Sequence, residues 1–90
     1  MNINLNGAGP MGRAIIDRDL ESLAPTYKRE YALVVERGQG SEIWDVDGRR
    51  YIDFMAGVAV MNAGHSHPAV VEAVQKQVEK FSHICLMDFY

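Results

Sequence analysis

A single cysteine, Cys85, among 90 residues excludes any internal disulfide, and with it the covalent staple of small secreted domains. A reducing, cytoplasmic setting is expected. No apolar run approaches the roughly 20 residues of a membrane-spanning helix, and the opening MNINLN has neither the basic nor the apolar region of a signal peptide. Basic residues are also scarce. Nine Lys and Arg against twelve Asp and Glu leave a formal net charge of -3, which offers no electrostatic footprint to nucleic acid or to an anionic membrane. Neither is expected as a partner. Internal repeats, low-complexity tracts and linkers are absent too. What the chain does have is 48% hydrophobic and 23% charged residues, an ordinary globular composition. Ninety residues are few for an enzyme, since a domain of this size buries only about 60% of its unfolded surface. The apolar ending Leu86-Met87-Asp88-Phe89-Tyr90 reads as a chain cut off inside a larger fold.

Apolar Ile16, Leu20 and Leu23 recur at helical spacing, with Arg13, Asp17, Arg18 and Glu21 opposite them, which predicts an amphipathic helix over 12–23 ended by Pro25. Tyr31 to Val35 predicts a short strand broken by Gly38-Gln39-Gly40. Asp47-Gly48 between two β-prone runs predicts a two-residue type I′ hairpin turn. That turn would pair Trp44 with Tyr51, Ile43 with Ile52 and Asp45 with Arg50, and would fray where Glu42 meets Asp53. Met55 to Ala63, apolar but punctuated by glycine, reads as a buried loop. A second helix is expected from Pro68, with Val71, Val74, Val78 and Phe81 on one face and a Glu72–Lys76 pair on another.

Several residue patterns carry candidate chemistry. Gly7-Ala8-Gly9-Pro10-Met11-Gly12 matches G-x-G-x-x-G before a helix, the outline of a dinucleotide fold. Its context is poor. Met1 to Asn6 alternates asparagine with Ile3 and Leu5, unlike the buried central strand the fold needs, and Glu36 falls later after Gly12 than the roughly 20 residues of the fingerprint. The simpler reading is an N-terminal arm and a helix started by proline. His65, His67, His83 and Cys85 supply zinc-type ligands without finger or ribbon spacing, and His67 before Pro68 is better placed to order the entry to the helix. Cys85, Ser66 and Ser82 lie near histidines but lack a nucleophile's surrounding signature. A Schiff-base lysine must be desolvated or sit beside a cation, and Lys28, Lys76 and Lys80 all fall in polar or solvated stretches.

Read in order, Glu36-Arg37-Gly38-Gln39-Gly40, Trp44-Asp45-Val46-Asp47-Gly48-Arg49, Tyr51-Ile52-Asp53-Phe54, Gly57-Val58-Ala59-Val60 and Gly64-His65-Ser66-His67-Pro68 strongly resemble the N-terminal region of class III pyridoxal-phosphate aminotransferases, of the acetylornithine and 4-aminobutyrate type. The likeness runs from about Gly9 to Tyr90. It implies an α/β fold, the N-terminal segment of a fold-type I pyridoxal-phosphate-dependent transferase, ordered helix, antiparallel β-meander, loop, helix. It implies three regions: an N-terminal arm over 1–11, the helix and meander of a small domain over 12–66, and over 67–90 a helix leading into a large cofactor-binding domain absent from this chain.

The cofactor implied is pyridoxal 5'-phosphate, the substrates an amino acid and a 2-oxo acid, and the assembly a homodimer. By the family's pattern the lysine that carries the cofactor, the aspartate on its pyridine nitrogen and the phosphate loop lie downstream, so no catalytic residue, cofactor-binding residue or metal ligand is expected here, and the chain alone should be inactive. Val58 corresponds to the aliphatic residue on the substrate side of the cofactor. Met87 falls where aminobutyrate-specific relatives often carry glutamine, a departure that admits other substrates because a thioether accepts weakly and cannot donate. Asp88 and Tyr90 are further candidates for substrate contact. Some relatives with similar N-terminal sequences are amino-acid racemases, which stand as the alternative. The isolated chain should be marginally stable, because its helices and hairpin expose apolar faces.

Overall fold

A computed structural model describes residues 7–90. Met1 to Asn6, most of the expected arm, lie outside the described residues. The order is helix α1 (Pro10–Ser22), strands β1 (Val35–Gln39), β2 (Glu42–Asp45) and β3 (Arg50–Ile52), the one-turn α2 (Ala56–Ala59) and helix α3 (Pro68–Val78). The strands form one antiparallel sheet in the order β1-β2-β3.

Both long helices start on proline, whose missing N–H costs nothing in the first turn. In α3 the preceding His67 is the cap, its Nδ1 accepting the Ala69 N–H at 3.2 Å, and Glu72 pairs with Lys76 one turn on. The ordering role expected of His67 is therefore present. α1 starts at Pro10, as the proline-started reading of the glycine motif expects and two residues before the 12–23 periodicity, and its last carbonyls are closed by the Leu23 N–H donating to Asp19 at 2.9 Å.

Two strand expectations need correction. The β-branched run 31–35 is not the first strand, which begins only at Val35 and passes through Gly38 to Gln39. Pairing with β2 across the Gly40-Ser41 turn decides this, while Ala32, Leu33 and Val34 line a groove of about 230 Å³ with Ile15 and Ile16 of α1. The hairpin register also differs by one residue: Glu42 faces Ile52, Ile43 faces Tyr51 and Trp44 faces Arg50. The cause is Asp45. Its Oδ1 accepts the N–H groups of Asp47 at 3.0 Å and Arg49 at 2.8 Å, which stretches the turn to a three-residue loop, Val46 to Gly48, with Gly48 at φ +84°. The slip exchanges the expected cross-strand pairs. Arg50 bonds Glu42 at 3.1 Å, and Arg37 of β1 lies 3.5 Å over the Trp44 ring, a cation–π contact between register partners.

No hydrophobic side chain among the described residues is buried. The Cα radius of gyration is 16.4 Å, against about 12 Å for a compact domain of this length. The 55–63 stretch is accordingly not a buried loop in this chain: Met55, Val58 and Val60 are all exposed, because nothing else among the described residues covers that side.

Candidate functional site

Two aspartate centres organise the sheet and the segments around it. Asp45, 5% exposed, is the buried one. Besides the two loop N–H groups, its Oδ2 accepts the Tyr51 hydroxyl at 2.9 Å. Two residues on, Asp47 turns outward and caps α1. Its Oδ1 accepts the Met11 N–H at 2.8 Å and its Oδ2 the Gly12 N–H at 2.9 Å, satisfying donors that a helix start leaves open. The glycine motif takes its meaning from this cap. A Cβ at Gly9 would fall 2.3 Å from Asp47 Cγ, and one at Gly12 would fall 3.1 Å from Oδ2. The dinucleotide outline is thus overturned: the helix start where a pyrophosphate would sit is filled by the chain's own carboxylate, and the sheet is antiparallel.

The second centre is Asp53, just after β3. Its N–H donates to Ser41 at 2.8 Å. Oδ1 accepts the N–H groups of Met55 at 2.9 Å and Ala56 at 3.0 Å, and Oδ2 lies 2.5 Å from His65 Nε2. His65 is tied back to the sheet by a two-way bridge with Gly40, at 2.9 and 2.8 Å. Its ring lies against β1 only because residue 38 is glycine, where a Cβ would fall 2.8 Å from the imidazole. A cavity of about 220 Å³ opens here, lined among others by Asp53, Met61, Asn62 and His65.

Between the two partners runs α2, and its hand is unusual. Ala56, Gly57, Val58 and Ala59 have φ of +49°, +61°, +59° and +61°. Three of the four carry a Cβ, each at a cost of roughly 1–2 kcal/mol relative to the right-handed form, and Val58 is β-branched besides. One turn is closed by the Ala59 N–H donating to Met55 at 2.9 Å. Such an arrangement persists only where surrounding bonds over-determine it. Val58, the expected substrate-side residue, stands on this turn with 85% of its surface exposed. Met87, Asp88 and Tyr90 are exposed as well, in the segment after α3, where the Asp88 N–H closes a turn on Cys85 at 3.2 Å.

Residue patterns alone assign no site role to Asp53 or Asp45, which stand only within the family motifs, and offer His65 as a metal ligand. An aspartate followed by open N–H groups two and three residues on is a legible turn signal. Its pairing with a histidine twelve residues away is not. Ser66, considered as a nucleophile, donates its hydroxyl to the Gly38 carbonyl at 2.8 Å.

Both aspartates titrate low. For Asp45, burial pushes the carboxyl up but is outweighed by hydrogen bonds from the Arg49 N–H, the Tyr51 hydroxyl and the Asp47 N–H and by the Arg49 charge. For Asp53, the His65 hydrogen bond and the Ala56 N–H pull the carboxyl down, with Met55 and the His65 charge adding to them against burial. A depressed carboxylate contributes stability that is fully present above its ordinary value, 3.8 for both, and is lost as pH falls through its native value. Carbon-13 labelling of the aspartate carboxyls should therefore show Asp45 and Asp53 titrating below 3.8. A midpoint above that for either would break this account.

The residues present do not fit the anchor of an aldehyde cofactor. Lys28 bonds Glu30 at 3.2 Å, Lys76 pairs with Glu72, and Lys80 is exposed, so none has the burial or adjacent cation that a Schiff-base lysine needs. Nor is the α1 start a free phosphate cradle, since Asp47 fills it.

Comparison with known proteins places the chain. The family model for class III aminotransferases matches residues 23–89. The 5-aminovalerate aminotransferase DavT of Pseudomonas aeruginosa is 54% identical over 55 residues, 61% of this chain and 13% of that protein. An acetylornithine aminotransferase of Methanosarcina mazei is 45% identical over 71 residues, 79% of this chain and 18% of that protein. The crystal structure of acetylornithine aminotransferase from Elizabethkingia anophelis superposes with a TM-score of 0.75 at 34% identity, over 88% of this chain and 20% of that one. The chain thus spans a fifth or less of the length of these relatives. All are aminotransferases, and they lend the racemase alternative no support. No helix among the described residues is long and apolar enough to cross a membrane. With its motifs, its helix–meander–helix order and most of its length matched, the chain belongs to the class III aminotransferases, as an N-terminal segment of the fold-type I, pyridoxal-phosphate-dependent architecture.

Proposed function

We propose that the chain is the N-terminal part of an aminotransferase that moves an amino group from an ω-amino or basic amino acid, of the 4-aminobutyrate or acetylornithine type, to a 2-oxo acid. The observation that carries the reading is the family match over residues 23–89. Pyridoxal phosphate supplies the electron sink in such enzymes, and the protein supplies binding, orientation and proton handling. In this reading the lysine that anchors the cofactor comes from residues beyond this chain, and the 90 residues alone are inactive.

This chain's contribution is a wall of the substrate site. Val58 faces the substrate from α2, and Met87, Asp88 and Tyr90 supply contacts from the segment after α3. Residues 12–66 belong to the small domain, and 67–90 lead into the large one. The enzyme acts in the cytoplasm as a homodimer.

The test is a chimera in which residues 1–90 replace the matching segment of the Methanosarcina mazei acetylornithine aminotransferase, a relative sharing 71 aligned residues. With pyridoxal phosphate it should transfer amino groups from acetylornithine or 4-aminobutyrate at a rate within about tenfold of the parent, while the 90-residue chain shows neither cofactor absorbance nor transfer. Transfer by the short chain alone would overturn its inactivity. A folded chimera silent toward every ω-amino and basic donor would overturn the substrate reading.

A further inference from the structure

We infer that Asp53 and His65 are positioning residues: together they clamp α2 in its left-handed conformation and so set where Val58 is presented. Ala56, Val58 and Ala59 would each relax to right-handed backbone if unrestrained, so something must hold them. The bonds that do so converge on one pair. The Asp53 carboxylate takes the N–H groups of Met55 and Ala56, the two residues that enter α2, and spends its other oxygen on His65. Both partners are pinned in turn to the β1–β2 turn, Asp53 through Ser41 and His65 through Gly40. The 53–65 segment is therefore closed at its base on the β1–β2 turn, and the strain in α2 is borne by that closure. The Met61 N–H, donating to Ala56 at 2.9 Å, continues the brace past the turn. A β-branched, exposed side chain held in a costly conformation by a partly buried aspartate–histidine hydrogen bond is the arrangement expected where position matters more than stability.

The effect on substrate rests on the aminotransferase reading; the clamp itself does not. The described chain has no core of its own, so the test uses the chimera. Replacing Asp53 (Asp53→Ala) should raise KM for the amino donor about tenfold with kcat held within about twofold, and should speed hydrogen exchange across 53–65. His65→Ala should act in the same direction. Adding Ala59→Gly to Asp53→Ala should bring KM most of the way back down, because glycine adopts a positive φ without a Cβ penalty. An unchanged KM in Asp53→Ala, or a fall in activity that merely follows the loss of folded enzyme and is not rescued by glycine, would overturn the positioning role. Should the folded chimera be silent toward every ω-amino and basic donor, the substrate reading falls, and hydrogen exchange still judges the clamp: exchange across 53–65 unaltered by Asp53→Ala overturns it.

Discussion

Heated on its own, the 90-residue chain is expected to lose ellipticity gradually, without a cooperative transition, and to bind a hydrophobic dye before heating begins. The reason lies in where its apolar residues are. The composition is 48% hydrophobic, enough for a normal core, yet no hydrophobic residue among those described is buried. Val71, Val74, Val78 and Phe81 share one face of α3 and its extension, and all remain exposed. Cooperative unfolding needs burial that is gained together and lost together. What organises the sheet here is polar: the Asp45 and Asp53 centres, the Asp47 cap and the ladder hydrogen bonds. Polar order without apolar burial gives little net stability, because each bond replaces one to water. Small-angle scattering should agree, with a radius of gyration at or above 16.4 Å. A sharp melt by a monomer near the about 12 Å expected of a compact domain would contradict this.

The second large effect belongs to a single added methyl group. In the chimera, Gly9→Ala should free the start of α1 from the hairpin, speeding exchange of the Met11 and Gly12 amides by roughly tenfold, the equivalent of a lost cap of about 1–2 kcal/mol. Backbone strain plays no part, because Gly9 has φ −75° and ψ 176°, open to any residue. The cost comes from contact alone: the new Cβ would lie 2.3 Å from Asp47 Cγ and 2.7 Å from its Cβ, so the carboxylate must move and both N–H groups lose their acceptor. Asp47→Ala should give the same faster exchange. The double variant Gly9→Ala with Asp47→Gly should be no worse than Asp47→Gly by itself, since that change removes the nearby Cβ together with the carboxylate and the clash and the cap are one interaction. Additive effects would show that Gly9 serves some other purpose.

These two cases divide what was legible in the residues from what was not. Pro10 and Pro68 at helix starts, His67 as a cap, the Glu72–Lys76 pair and the existence of a turn at Asp47-Gly48 follow from interactions spanning four residues or fewer. Local propensity reaches that far, and the order of the motifs carried the family. The hairpin register did not follow, because Asp45 bonds its own loop and adds a residue to the turn. The meaning of Gly9, Gly12 and Gly38 did not follow either. At Gly9 and Gly38 a side chain 38 and 27 positions away comes too close for a Cβ, and at Gly12 the Asp47 carboxylate leaves one only a tight fit, and no pattern within the motif records which side chain it is. The left-handed α2 is the clearest instance. Ala56, Val58 and Ala59, read in isolation, favour right-handed backbone, and the bonds that oppose this join the closure of Asp53 on His65 across the sheet turn to the backbone bonds of Ala59 and Met61. Backbone preferences act along the chain, whereas strain is sustained by contacts between segments far apart in it, which exist only once the fold has brought them together.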